Sequence, residues 1–350
     1  MTNPPYVPVF ELIRGQVVES IHFGAAAVSD RLGNLTAWLG DPGAVTYLRS
    51  TAKPFQALPF IESGGAVAFS LSSAEVALLC ASHSGTDEHV ETVQSIQEKT
   101  GVRQAQLLCG VHPAYHEPTA EAMRRREEAP TPNRHNCSGK HTGMLAYARW
   151  QGWSEEDYIN LSHPVQQSIL STFAEMCSLQ PEQVEVGVDG CSAPNFAVPL
   201  RNAALAYARL CEPQDLPPSR AEACRRITAA MAANPGMIGG PKRFDTRLME
   251  VTQGRLISKG GAEGYQGIGL LPGALGLGSP ALGIAVKVSD GDLKGRALPA
   301  ISLEILRQLG ALSLSEIEAL SEFGPGLPVY NWRKLLVGEA HPSFQLTGKP

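Results

Sequence analysis

The chain has 350 residues, 43% hydrophobic and 18% charged, with 35 glycines, 26 prolines and a formal net charge of −5. That length and apolar content suffice for a large core, in one large domain or two intimate ones, and the negative balance excludes nucleic acid or anionic membrane as the main partner. Residues 1–8 carry no cationic region running into an apolar stretch, no segment reaches the roughly 18 apolar residues needed to span a bilayer, and seven irregularly spaced cysteines predict free thiols in a reducing cytoplasm, not a disulfide framework.

Residues 7–13 and 16–22 alternate and predict a β-hairpin turning at Arg14-Gly15. Residues 24–30 and 35–40 predict a second, turning at Arg31-Leu32-Gly33-Asn34. A helix is expected from the stretch Arg49-Ser50-Thr51-Ala52-Lys53-Pro54-Phe55 to about Glu62. Ser72-Ser73-Ala74-Glu75 reads as a capping box opening a short helix that runs into Cys80-Ala81-Ser82-His83-Ser84-Gly85. Further helices are expected over 87–99, 117–128, from His141 to about Trp150, and twice within 154–177. A strand over 184–188 feeds Asp189-Gly190-Cys191, and helices follow near 197–210 and 219–233. Strands near 256–261, 264–271 and 281–289, a helix over 291–309 and a Pro/Gly-rich tail from Gly324 complete the chain. With strands at both ends and helices between, the fold class is α+β: an antiparallel sheet from the N- and C-terminal parts, helices packed on it, and a helical insertion. We read 1–350 as a single domain, with sheet strands near 7–47 and 255–289 and a mainly helical region over 53–250.

Three elements carry candidate chemistry. Ser50 stands three residues before Lys53, so a helix starting there places both on one face. Serine is a poor nucleophile until a base takes its proton, and S-x-x-K supplies such a base in penicillin-binding proteins and class A β-lactamases. The same pattern also describes a helix start with a surface lysine. Ser82 lies in a turn between helices, and Lys259 lies late, in Ser258-Lys259-Gly260-Gly261. The order loosely follows S-x-x-K, S-D-N, K-T-G, with His83-Ser84 in place of Asp-Asn and Gly260-Gly261 in place of Thr-Gly. A second constellation is Cys137-Ser138-Gly139-Lys140-His141 with Asp189-Gly190-Cys191. Two thiolates suit Zn²⁺; buried cysteines are equally ordinary core residues.

Taken together, Arg49-Ser50-Thr51-Ala52-Lys53-Pro54, Cys80-Ala81-Ser82-His83-Ser84-Gly85, His135-Asn136-Cys137-Ser138-Gly139-Lys140-His141 and Asp189-Gly190-Cys191 resemble the rhizobial-type (class 3) L-asparaginases over nearly the whole chain. The resemblance implies a serine-β-lactamase-like fold, a homodimer, and hydrolysis of L-asparagine to L-aspartate and ammonia. It implies that Ser50 with Lys53, and Ser82 with Lys259, are two catalytic Ser–Lys pairs. It makes Cys137, Lys140 and Cys191 zinc ligands and Asp189 a carboxylate beside metal and substrate. Arg49 and His141, next to these, are expected in the substrate pocket. The rival readings are a related amidohydrolase, such as a glutaminase or β-lactamase-like enzyme, and a non-catalytic ligand-binding relative.

Overall fold

The computed structural model describes residues 5–348. Residues 1–4, part of the N-terminal stretch read above, and 349–350 lie outside the described residues. The chain divides into two compact units: Met1–Thr46, Val198–Glu212 and Val251–Pro350 form one, and Tyr47–Ala197 and Pro213–Glu250 the other.

The first unit holds a nine-stranded antiparallel sheet. Its strands are β1 (Val7–Arg14), β2 (Val17–Asp30), β3 (Leu35–Leu39), β4 (Leu256–Gly261), β5 (Tyr265–Leu270), β6 (Leu282–Val288), β7 (Leu327–Tyr330), β8 (Leu336–Pro342) and β9 (Thr347–Gly348). The order is β7-β8-β1-β2-β6-β5-β4, with β3 also on β2 and β9 on β3. The sheet is thus built from both ends of the chain, as the order of elements predicts. The two expected hairpins share one strand. The first half of β2 pairs with β1, its second half with β3, and Gly24–Asp30 pairs with β6 on the other edge. Small residues make this possible: Gly24-Ala25-Ala26-Ala27-Val28-Ser29 is buried throughout, as a strand covered on both faces must be.

The helix Leu200–Cys211 packs on β2, β5 and β6. Gly283 on β6 sets that approach, because a Cβ there would sit 1.9 Å from the Ala204 carbonyl oxygen. Two expectations in this unit are corrected. The sheet strands expected near 7–47 and 255–289 are joined by β7 and β8 from the Pro/Gly-rich tail, which add to the β1 edge, with Phe10 opposite Pro342. Gly338 hides that strand in the sequence, and its missing side chain admits the Ile13 carbonyl, which a Cβ would meet at 2.3 Å. The helix expected over 291–309 begins only at Ala297 and ends at Gln308. Asp292 accepts the Leu298 N–H at 2.8 Å and so caps it from outside.

The second unit is mainly helical. It contains α1 (Lys53–Glu62), α2 (Ser73–Leu79), α3 (Asp87–Thr100), α4 (Ser138–Gln151) and α5 (Pro164–Met176). The Ser72–Glu75 capping box opens α2 with both of its bonds. α1 is buried from Lys53 to Ile61 and packs on α4 and α5, with Phe55 edge-on to Phe173 at 5.8 Å. Of the two helices expected within 154–177 only α5 forms. His163 Nδ1 accepts the Val165 N–H and Pro164 opens the helix, so the residues before it are turns. The strand Glu185–Val188 has an unexpected partner in residues 194–197. Among the described residues no helix is long and apolar enough to cross a membrane.

Candidate active site

The segment before α1 is a 3₁₀ turn, Arg49–Ala52. Arg49 has φ +53°, left-handed geometry that costs a non-glycine residue about 1–2 kcal/mol. Bonds from both its backbone and its side chain hold it there. Its backbone N–H donates to Asn195 Oδ1 at 3.0 Å, and its Nε donates to Asp189 Oδ1 at 2.7 Å. Asp189 also accepts the Gly190 N–H at 2.9 Å. Arg49 and Asp189, both expected at the substrate pocket, are therefore partners. Asn195 is a residue the sequence did not single out, because a lone asparagine within an apolar strand carries no motif.

Lys53 opens α1 with φ −61° and ψ −38°, so Pro54 does not push it out of the helical region. Lys53 is 1% exposed. Its Nζ donates to the Ala81 carbonyl at 2.5 Å, to Ser82 Oγ at 2.8 Å and to the Asn136 carbonyl at 3.3 Å. These three acceptors match the three N–H of an ammonium. Ser50 is not among them, and no hydrogen bond reaches its hydroxyl among the described residues. The expected Ser50–Lys53 contact is therefore replaced by a Ser82–Lys53 contact. The reason is tertiary: the loop after α2 and the turn before α4 close around the amine, an arrangement that i, i+3 spacing cannot anticipate. The Ser82 N–H donates to the Ile238 carbonyl at 3.0 Å, so it is engaged within the fold.

His83, fully buried, follows Ser82. Its Nδ1 accepts the Gly85 N–H at 3.1 Å, so Nε2 carries the proton and donates to Ser138 Oγ at 2.9 Å. Ser138 Oγ donates in turn to the Asn133 carbonyl at 2.9 Å. Burial, then the nearby His89, hold the His83 pKa well below its usual value. His89 stacks on it at 4.8 Å and caps α3 through Thr86. Burial brings the His89 pKa from 6.5 down to about 4. The unfolded chain thus binds a proton below pH 6.5 that the folded chain refuses, and stability falls as pH drops from 6.5 towards 4. We expect this group alone to remove about 3 kcal/mol over that window. Urea unfolding at pH 7 and pH 4.5 checks it; equal midpoints would contradict the assignment.

The thiol constellation gathers around Cys191. Lys140 Nζ donates to Cys191 Sγ at 3.0 Å. A hydrogen bond from the Cys137 thiol, then Lys140 and His141, lower the Cys191 pKa, while that bond and burial push Cys137 well up. Burial opposes the Lys140 charge, but Cys191, Cys137 and Asp189 outweigh it and raise its pKa. His141 is fully buried. Its Nδ1 lies 2.7 Å from Tyr158 OH, which accepts the Leu108 N–H at 2.8 Å. The other ring nitrogen, Nε2, is buried with no hydrogen-bond partner among the described residues, and Cys191 lies close to the ring. His141 is pulled below its usual pKa by burial. Among the described residues no three His, Cys, Asp or Glu side chains gather as a metal site. The set here is two cysteines and a lysine. Its donor types, two sulfurs and, once deprotonated, an amine, are those a borderline-soft dication takes.

Lys259 belongs to the other unit. On β4 it is 1% exposed, and its Nζ donates to the Gly260 carbonyl at 2.6 Å.

No curated protein matches the chain. Among solved structures it is similar to the Bacillus subtilis glutaminase YbgJ in covalent complex with 5-oxo-L-norleucine, with 12% identity, coverage of 83% of this chain and 89% of that one, and a TM-score of 0.38. It is also similar to a Bacillus glutaminase, with 10% identity, coverage of 81% and 90%, and a TM-score of 0.37. The family described as L-asparaginase II matches residues 10–342. Every motif singled out above lies inside that span, and the chain belongs to the L-asparaginase II family of amidohydrolases.

Proposed function

We propose that the chain hydrolyses L-asparagine to L-aspartate and ammonia through a serine nucleophile with Lys53 as base. The observation that carries this reading is how Lys53 is held. Two of its three partners are carbonyl oxygens, which can only accept. They pin two N–H groups, so the lone pair of the neutral amine can point only at Ser82 Oγ. Ser50 attacks the side-chain amide carbon, and its proton passes by way of Ser82 to Lys53. The tetrahedral intermediate collapses, ammonia leaves with a proton returned along the same hydroxyl, and water releases aspartate from the ester. A second reading, in which Ser82 itself attacks, is favoured by its direct bond to Lys53. Acid quenching during asparagine turnover, followed by peptide mass mapping, separates the two. An aspartyl ester on Ser50 supports the first, one on Ser82 the second, and none on either removes the covalent mechanism. Turnover of glutamine in place of asparagine would favour a glutaminase.

On the family resemblance, Lys259 is carried as the partner base and Arg49, Asp189 and His141 as pocket residues. Arg49 offers a cation beside the Asp189 carboxylate, suited to the two charged ends of an α-amino acid. Cys137, Lys140 and Cys191 would hold a zinc ion, which when bound supplies a fixed positive charge. We expect about one zinc per chain in purified protein, lost in Cys137→Ala and Cys191→Ala. Elemental analysis finding none, with activity intact, removes the metal from this reading. A homodimer is proposed on the same resemblance, and light scattering giving only a monomer at micromolar concentration would count against it. All seven cysteines are buried thiols outside any disulfide, which suits a reducing cytoplasm.

A further inference from the structure

We propose that His83 is a positioning residue. Through Ser138 it ties the turn carrying Ser82 to the turn carrying Cys137, and thereby holds the Ser82 hydroxyl against Lys53. The inference rests on the reading above that Ser82 either attacks or carries the proton. It stands on a chain of hydrogen bonds whose direction is fixed at every step. The Gly85 N–H can only donate, so His83 Nδ1 accepts and Nε2 donates to Ser138. The Asn133 carbonyl can only accept, so the Ser138 proton goes there. His83 and Ser138 are both 0% exposed, so water cannot replace a lost bond.

A second link joins the same two segments. The Asn136 carbonyl, one residue before Cys137, accepts from Lys53, and Lys53 donates to Ser82. Residues 136–138 therefore touch the base on one side and the neighbour of the serine on the other. The Ser82 backbone is anchored separately by the Ile238 carbonyl. Losing the His83 bridge leaves that anchor, so the turn stays folded while the hydroxyl is free to swing. A displacement of about 1 Å from productive geometry is enough to cost about 100-fold in rate.

Two substitutions of similar size split the functions of the imidazole. In His83→Asn the side-chain oxygen replaces Nδ1 and keeps the Gly85 bond, but nothing reaches Ser138. In His83→Gln the side-chain N–H replaces Nε2 and keeps the bridge. With asparagine as substrate, His83→Asn is expected to lose about 10- to 100-fold in kcat with KM unchanged. His83→Gln should keep kcat within about threefold of the parent. Ser138→Ala, which removes the other half of the bridge, should match His83→Asn, and the double variant should be no worse than either single one. Thermal melting of each variant separates folding from turnover; if His83→Asn does not fold, Ser138→Ala decides. Parent-like kcat in both folded His83→Asn and Ser138→Ala overturns the proposal, as does equal loss in the Asn and Gln variants. Ser82→Ala serves as the control. If that variant is active the reading of Ser82 is at fault; if it is inactive while the bridge variants turn over normally, only the role of His83 is.

Discussion

Replacing Lys53 by arginine is expected to abolish asparagine hydrolysis. Arginine stays protonated under all working conditions, so it can donate to the same three oxygens but never take a proton from Ser82. Lys53→Ala should fail for a different reason: it removes the base and leaves the Ala81 and Asn136 carbonyls without their buried donor. General base catalysis is worth about 10²–10⁴-fold, and a loss in that range or greater is expected in kcat for both variants. Ammonia release measures the rate, and circular dichroism with melting confirms the fold. A folded Lys53→Arg enzyme turning over at close to the parent rate would sink the role of Lys53 as base.

Gly139→Ala should damage stability and activity together. Gly139 lies in the first turn of α4, within the Cys137–Lys140 motif. A Cβ there would sit 2.3 Å from the Leu78 carbonyl oxygen and 3.0 Å from the Leu78 carbonyl carbon. Both are backbone atoms of α2, so no side chain can rotate away. One methyl group must separate α4 from α2, and with them the Cys137–Lys140 turn from the loop bearing Ser82. Overpacking of this kind costs about 1–3 kcal/mol, and a shift near 1 Å at the site costs about 100-fold in rate. Gly152→Ala at the far end of α4 is the comparison. Its φ of +72° is strained for alanine, but nothing lies within 4 Å of the added carbon. It should cost about 1–2 kcal/mol and leave turnover intact. Equal activity in the two variants would show that the contact with Leu78 does not position the site.

The sequence was most legible where a local rule acts alone. The capping box at Ser72 and the end of α1 at Glu62 follow from local residue choice, and structure and expectation agree there. It was least legible where a residue depends on a distant segment. Asn195 holds Arg49 across the chain, and Tyr158 meets the His141 ring at Nδ1; neither lies in a motif. S-x-x-K spacing points Lys53 at Ser50, whereas the closure of two other turns around the amine gives it Ser82. The tail strands were hidden because their pairing depends on glycine admitting a neighbouring backbone, not on an apolar run. The motif residues that proved mutual partners, Arg49 with Asp189 and Lys140 with Cys191, come from turns at element ends, where side chains from separate segments can meet.

The pairing of β2 has a consequence for how the chain reaches its folded state. Gly24 faces Val288 and Phe10 faces Pro342, so the strands made first wait for strands made last. On the ribosome, the Ala25-Ala26-Ala27-Val28 segment emerges early and lacks one hydrogen-bonding edge until β6 has been synthesised. Contacts so far apart in sequence close slowly, because the entropy of a long loop is lost before the pairing compensates for it. In that interval the half-built sheet exposes an open, apolar edge to other nascent chains. The helical unit interrupts the sheet unit in sequence, and its length sets how long that exposure lasts.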